Sequence, residues 1–434
     1  MGACFFTLFI TFIFSTTLFV VAHNRYIKKR SHQLPPNPPT IPFFGNLLWL
    51  LVKPFSRVKA LSLSLHEIYG PIYTLYIGSK PLIVIASHSL THQALIANGA
   101  IFADRPQEMA TDKFLSCDQH NISSAFYSPT WLRLRRNLTY NILHTSRIAS
   151  FVGARKWALD ALINRLKPLS SSDECHHTEI RDHIQHALFS LFTFICFGEK
   201  LEDMKIQAIK NLQRRLQSSF DKFKENRKLE EKETVTLCSE LFTGGIDTTS
   251  TALEWIMANL VKHPHIQDKL FKEIKRVVLD GEVRIKDEDL RNMPHLRAII
   301  LESLRRHPPS HFLIPHTVTK DVVLDGFLVP KNSIVIFRVV EMGRNPNVWE
   351  NPMEFKPERF LNNGDFDISG TKEIKMIPFR VGKRMCPAYR LAMLHFKYFV
   401  ANLVWHFNFK CFGGGVDLTE KHEFTAVMHN PLEV

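Results

Sequence analysis

From Thr234 to Val261 the chain carries only three charges, Glu240, Asp247 and Glu254. As a helix this segment would be about 42 Å long, which calls for a large folded unit around it. The chain has 434 residues, 45% of them apolar, enough to bury a substantial core. Two adjacent glycines, Gly244 and Gly245, interrupt the segment. Each costs about 1 kcal/mol inside a helix, so the pair implies a local widening of the helix or the close approach of a ligand. The three acids are spaced by seven and fall near one face, which is a polar stripe in its own right. Glu240 and Glu254 are each about 10 Å along the axis from Asp247, so only Asp247 lies beside the glycines.

A second constraint is FRVGKRMCPA, from Phe379 to Ala388. It sets Cys386 in a basic, glycine-turned loop that runs into LAMLHFKYFVANLVWHF, apolar on nearly every face as a core helix would be. Pro387 suits a first helical position, which puts Cys386 at a helix N-terminus. Free backbone N–H groups, the positive end of the dipole, Lys383 and Arg384 would there favour the thiolate, the form that binds a metal or attacks. The plainer alternative is a buried cysteine acting as a small hydrophobe.

The order Phe379, Gly382, Arg384, Cys386 resembles the haem-binding signature F-x-x-G-x-R-x-C-x-G of the cytochrome P-450 superfamily, the haem-thiolate monooxygenases. Further motifs recur in the order that family places them. ILESLRRHPP holds Glu302 and Arg305, three residues apart on one helix face and able to form a charge-assisted pair. That helix should end at His307, because Pro308 and Pro309 cannot continue it. KPERF supplies Arg359, which in the family joins the pair to lock the core. As bare residues the three could equally be a surface ion pair worth about 0–1 kcal/mol. GGIDTTS resembles the family's central oxygen-activating helix and implies that Asp247 and Thr248 deliver the protons for O–O cleavage, a bond toward which the thiolate pushes electron density. SPTWLRLRRNL sets Trp131 and Arg135 one helical turn apart, the family's partners for a haem propionate; read alone, it is an amphipathic helix with a basic face. The resemblance makes Cys386 the axial ligand of haem b and Phe379 part of the cofactor site. Arg384 would be a second propionate partner, and His316, in LIPHTV, stands where the family often has another donor.

The expected fold is mainly α with a small β region: a single haem domain, 46–434, behind an N-terminal membrane anchor over 1–30 and a proline-rich hinge over 31–45. IYTLYIG and PLIVIA read as short strands. HPHIQDKLFKEIKRVVL repeats Ile266, Leu270, Ile274 and Val277 at helix period. Ala3 to Ala22 carries no charge and is long enough for the roughly 30 Å hydrocarbon core. Arg25, Lys28, Lys29 and Arg30 follow it, which places the remainder on the cytosolic side as a single-pass protein; the resemblance to microsomal members implies that the membrane is the endoplasmic reticulum. A cleaved signal peptide is the competing reading, disfavoured because no basic residue precedes the run. The seven cysteines are odd in number and form no C-x-x-C pair, so they indicate neither a disulfide framework nor a zinc cage. His176 and His177 beside Cys175 give no zinc spacing.

The net charge of +13 comes with no basic tract interleaved with stacking aromatics and no nucleic-acid motif. Anionic lipid and an acidic partner explain it better. In microsomal members that partner is NADPH-cytochrome P-450 reductase, for which Arg133, Arg136 and Lys383 are candidate contacts. The chain is most similar to plant A-type microsomal enzymes, of family 89, subfamily A, through phrases such as IFADRP, SSAFYSPTWLRLRRNL and EMGRNPNVWENPMEFKPERF. It also departs from them. Between about 204 and 233 it is shorter by roughly seventy residues, and the charged run DKFKENRKLEEKE stands where helices roof the substrate pocket. Arg380 replaces a small residue, and Ala388 replaces the last glycine of the signature, which is acceptable if its φ is negative.

The resemblance implies a monooxygenase that inserts one atom of O2 into a small apolar substrate with electrons from NADPH. The alternative is a haem-binding or haem-free pseudoenzyme from a shortened gene product. An isomerase or dehydratase needing neither O2 nor reductase is disfavoured by the intact GGIDTT. IFADRPQEMATDKFLSCDQHN and HPPSHFLIPHTV are the expected remaining pocket lining.

Overall fold

The computed structural model describes Ser15 and residues 34–41, 43–46, 64–108, 116, 118–170, 179–198, 200, 205–206, 236, 239–278, 284–361, 366–411 and 415–433. The anchor expected over 1–30 lies outside these residues apart from Ser15, as does the charged run at 221–233. Among the described residues no helix is long and apolar enough to cross a membrane. Contacts divide the chain into two units, Met1–Pro106 with Ile314–Arg338, and Gln107–Leu313 with Val339–Val434.

The first unit holds the expected strands. β1 (Ile72–Ile77) and β2 (Lys80–Ile85) form an antiparallel hairpin turned at Gly78, whose φ of +61° suits glycine. With β3 (His316–Thr317) and β6 (Ile334–Phe337) they make a four-stranded sheet of order β1-β2-β6-β3, in which β6 runs parallel to β2. Tyr73, Leu75, Leu82, Val84 and Leu65 form its apolar cluster. A separate hairpin, β4 (Val322–Leu324) and β5 (Phe327–Val329), turns at Asp325-Gly326, where both residues have positive φ as such two-residue turns require. The proline-rich stretch is tied to β1 at Pro35 and Pro36. Pro36 O accepts from Thr74 N at 2.8 Å, and Pro35 O accepts from the Thr74 hydroxyl at 3.1 Å.

The second unit is helical. Its helices are α1 (Pro129–Asn141), α2 (Thr145–Ser150), α3 (Val152–Ser170), α4 (Ile180–Phe197), α5 (Thr248–Lys262), α6 (Pro264–Val277), α7 (Pro294–Arg306), α8 (Val339–Gly343) and α9 (Tyr389–His406), with a small hairpin of β7 (Glu420–His422) and β8 (Ala426–Met428). Local sequence sets many of the ends. The Ser128 hydroxyl accepts from Trp131 N to start α1, with Pro129 at its first position. Gly198, at φ +75°, closes α4. The Glu273 carboxylate accepts from His295 N and Leu296 N, at 2.8 and 2.9 Å, to cap α7, which stops at Arg306 ahead of the two prolines.

The long segment of few charges is the axle of this unit. Every residue of α5 from Thr249 to Val261 is buried, within a core built with α3, α4, α6, α7 and α9. Its start is widened into a π-turn at Thr243–Asp247, the local change of pitch that the glycine pair implied. Behind it, Glu302 and Arg305 pair through two bonds of 2.7 and 2.8 Å with neither side chain exposed, so they are not a surface pair. Arg305 also donates to Gly343 O at 2.6 Å, and Arg359 reaches Glu302 at 3.4 Å.

Candidate functional site

The cysteine loop is folded by its own backbone. A short 3-10 turn at Gly382–Arg384 and a bond from Met385 N to Gly382 O bring the chain round, and Cys386 N donates to Phe379 O at 2.8 Å. The helix begins later than the sequence implied. α9 starts at Tyr389 with Ala388 as its cap, so Pro387 lies outside the helix and Cys386 sits just before its N-terminus. The Ala388 N–H still bonds the sulfur, but this does not outweigh burial, so the favoured thiolate that the sequence implied is not what the loop by itself gives. Ala388 has φ −96°, within reach of any residue, and tolerates the loss of glycine.

The cations near the sulfur also differ from expectation. Lys383 is exposed, and Arg384 turns away to donate to Ala125 O at 2.6 Å and Ile122 O at 3.3 Å. The charges that reach Cys386 are those of Arg380 and Arg135. Burial pushes the Cys386 thiol up, and the Ala388 amide and these two guanidinium groups act against the rise. Arg380 adopts φ +62°, a left-handed conformation that a side chain rarely takes, and also lies near Glu240. A cavity of about 480 Å³ opens beside the cysteine, lined by Arg135, Leu143, Ile148, Met385, Pro387 and Leu391.

Trp131, Arg135 and Arg384 come together. The Arg384 guanidinium lies 4.2 Å from the centre of the buried Trp131 ring and that of Arg135 5.4 Å from it. Trp131 Nε1 donates to Ile122 O at 2.9 Å, and Arg135 donates to Met385 O. Glu240, expected on a polar stripe, instead accepts from Ile122 N at 2.9 Å and from Ser123 N, tying the helix start to the loop ahead of α1. Burial pushes its carboxyl up, opposed by those bonds. His316 lies in the first unit, where its Nδ1 bonds Phe102 O at 2.6 Å.

The two glycines have different surroundings. A Cβ on Gly244 would meet nothing within 4 Å, whereas one on Gly245 would lie 2.4 Å from Cε1 of Phe192. Sequence alone gave no sign of Phe192, whose contact comes from a helix packed alongside. Asp247 is buried and accepts from Gln185 Nε2 at 3.0 Å. The Thr248 hydroxyl donates to Gly244 O at 2.6 Å, across the widened turn. Among the described residues there is no cluster of three or more His, Cys, Asp or Glu able to hold a metal ion. The arrangement suits a metal bound by a single thiolate, with an acid and a hydroxyl on the central helix.

The family profile described as "Cytochrome P450" matches residues 35–224 and 209–433. Cytochrome P450 89A9 of Arabidopsis thaliana is 40% identical over 477 aligned positions that cover 93% of each chain. Flavonoid 3'-monooxygenase of the same plant is 26% identical over 502 positions, covering 99% of this chain and 96% of its own. Among solved structures, a zebra fish cytochrome P450 with progesterone superposes with a TM-score of 0.73 at 22% identity, covering 86% of this chain and 98% of the other.

Proposed function

The chain belongs to the cytochrome P450 family, resembling plant family 89, and from that premise we propose that it is a membrane-anchored monooxygenase. It would insert one atom of O2 into a small apolar molecule, drawing electrons from NADPH through the flavin reductase of the endoplasmic reticulum. The family's cofactor is haem b held by a cysteine thiolate. The residues present fit it. One thiol feels the charges of two guanidinium groups, and Gly244 leaves open space where a side chain would stand. When bound, haem supplies the redox chemistry that activates dioxygen.

In this reading Cys386 would hold the haem iron through its sulfur, the loop being set by the bond to Phe379 O and the Ala388 amide. Arg135, Arg384 and Trp131 would face the acidic side groups of the haem, with His316 a further candidate. Gln185 orients Asp247, whose carboxyl would relay a proton, and the Thr248 hydroxyl, bonded to Gly244 O one helical turn back, would pass it on. The buried Glu302, Arg305 and Arg359 group keeps the surrounding core rigid. The span 1–30 would anchor the chain, 31–45 would orient the catalytic domain, 46–434, on the cytosolic side, and the exposed Arg133, Arg136 and Lys383 would meet the reductase.

The observation that carries this reading is the Cys386 loop, with its bond to Phe379 and the charges of Arg380 and Arg135. A second reading, a pseudoenzyme shortened over the pocket roof, draws support from the 477 aligned positions that take up 93% of this 434-residue chain. Without a roof, water would reach the site and divert reducing equivalents to peroxide. Reconstitution with the reductase separates the two. The monooxygenase consumes NADPH and O2 in step with product from a panel of apolar compounds; the pseudoenzyme gives peroxide alone or no consumption.

A further inference from the structure

Leu432 ties α4 to α5 through three different contacts. Its side chain is 3% exposed and packs in the core that those helices share. Its carbonyl accepts from Ile180 N at 3.1 Å, which matters because no side chain caps the free amides of the first turn of α4. Its own N–H donates to Oε1 of Glu254, in the middle of α5, at 3.3 Å. The backbone of the next residue, Glu433, pairs with that of Glu179, so residues 431–433 lie as a strap along the start of α4.

Glu254, the acid under the strap, is 1% exposed and has no part in the mechanism above. Its Oε2 is buried without a hydrogen-bond partner and stands 3.7 Å from Arg181 Nε, too far for a hydrogen bond. A carboxylate with one long bond and a distant cation is poorly satisfied, so the neutral carboxyl is favoured there. The charged groups that act on it are Arg181 and Asp182 of α4 and Glu179 just ahead of that helix, while the strap adds the exposed Glu433. Burial pushes Glu254 up to about 7, with Arg181 and the Leu432 amide opposing the rise and Glu179 and Asp182 adding to it. We infer that residues 431–433 form a strap latched on neutral Glu254, which loosens as pH rises through neutrality. With the strap open, water reaches Glu254 and restores its ordinary value of 4.5. The closed form therefore binds more protons. Its advantage from this group is complete below about pH 4.5 and is lost as pH rises through about 7, the proton passing to water. These two values make the opening constant rise about tenfold between about pH 6 and about pH 8 and level off above that. Opening removes the carbonyl that caps α4 and wets the middle of α5. The device needs neither haem nor turnover.

Amide hydrogen exchange of the full-length protein in lipid nanodiscs, corrected for intrinsic exchange rates, tests the latch. The reporters are the amides of Leu432 and Ile180, both bonded across the strap. In the wild type their protection should fall about tenfold between about pH 6 and about pH 8. In Glu254→Gln, which is neutral throughout, it should change by less than about twofold. Arg181→Met removes the cation that favours the ionised acid and should deepen the wild-type fall several-fold. The amide of Val278, bonded to Ile274 O in α6, is the control and should not follow. A flat wild-type profile, an equal fall in Glu254→Gln, or a fall shared by Val278, which reports unfolding of the whole unit, overturns the latch. Should Glu254→Gln fail to fold, Arg181→Met against wild type decides, and an unchanged fall overturns it.

Discussion

Gly245→Ala should destabilise the protein although alanine is the better helix former. An added Cβ would meet Phe192 Cε1 at 2.4 Å, Cζ at 2.6 Å and Cδ1 at 3.2 Å, whereas carbon atoms pack at about 3.5–4.0 Å. The ring would have to retreat by about 1 Å. It is itself buried, and His395 stands edge-on to it 6.1 Å away between centres, so the retreat presses on packed core. Overpacking of this kind costs about 1–3 kcal/mol. Gly244→Ala supplies the control, because nothing lies within 4 Å of its new Cβ and only the backbone preference of about 1 kcal/mol in favour of alanine remains. The two substitutions share that preference, so their difference isolates the contact and should be about 1–3 kcal/mol by chemical denaturation at matched haem content. In a Phe192→Leu background the penalty of Gly245→Ala should vanish, giving a coupling of similar size. Equal effects at the two glycines, or simple additivity with Phe192→Leu, would refute the reasoning.

Other expectations follow from the buried polar groups. His395 has both ring nitrogens buried without a hydrogen-bond partner, and burial, with Arg155 nearby, pushes it down to about 3. The unfolded chain therefore binds the extra proton, and this group's contribution, complete above about pH 6.5, is lost as pH falls toward 3. Between about pH 7.5 and about pH 5.5 the wild type should lose about 1 kcal/mol more stability than His395→Leu; parallel curves would contradict this. Glu302→Gln should cost about 3–5 kcal/mol by leaving Arg305 buried and unpaired, and a loss of under about 1 kcal/mol, the value of an exposed pair, would count against it. Arg380→Gly removes one of the two cations near Cys386 and should lower the haem reduction potential measured by spectroelectrochemistry. An unchanged potential would show that this charge does not reach the thiolate.

What could be read from sequence was local. The glycine pair announced a change of helical pitch, Pro308 ended α7, and the three-residue spacing of Glu302 and Arg305 placed them as a pair. What could not be read depended on parts of the chain far apart. Glu240 looked like one of three evenly spaced acids, yet its partners are amides of Ile122 and Ser123. Phe192 carries no motif and is met only because α4 packs on the widened turn. Lys383 and Arg384 are nearest to the cysteine in sequence, but the loop directs one to solvent and the other to Trp131, leaving Arg135 and Arg380 near the sulfur. Pro387 met the rule for a first helical residue, and the turn through Ala388 delays the helix to Tyr389.

The central claim, thiolate ligation by Cys386, is tested most directly by the carbon monoxide difference spectrum of the reduced protein in microsomes, recorded beside Cys386→Ala. A band at about 450 nm in the wild type, absent from the variant, is the predicted result. A band at about 420 nm, or none, from wild-type protein would contradict it.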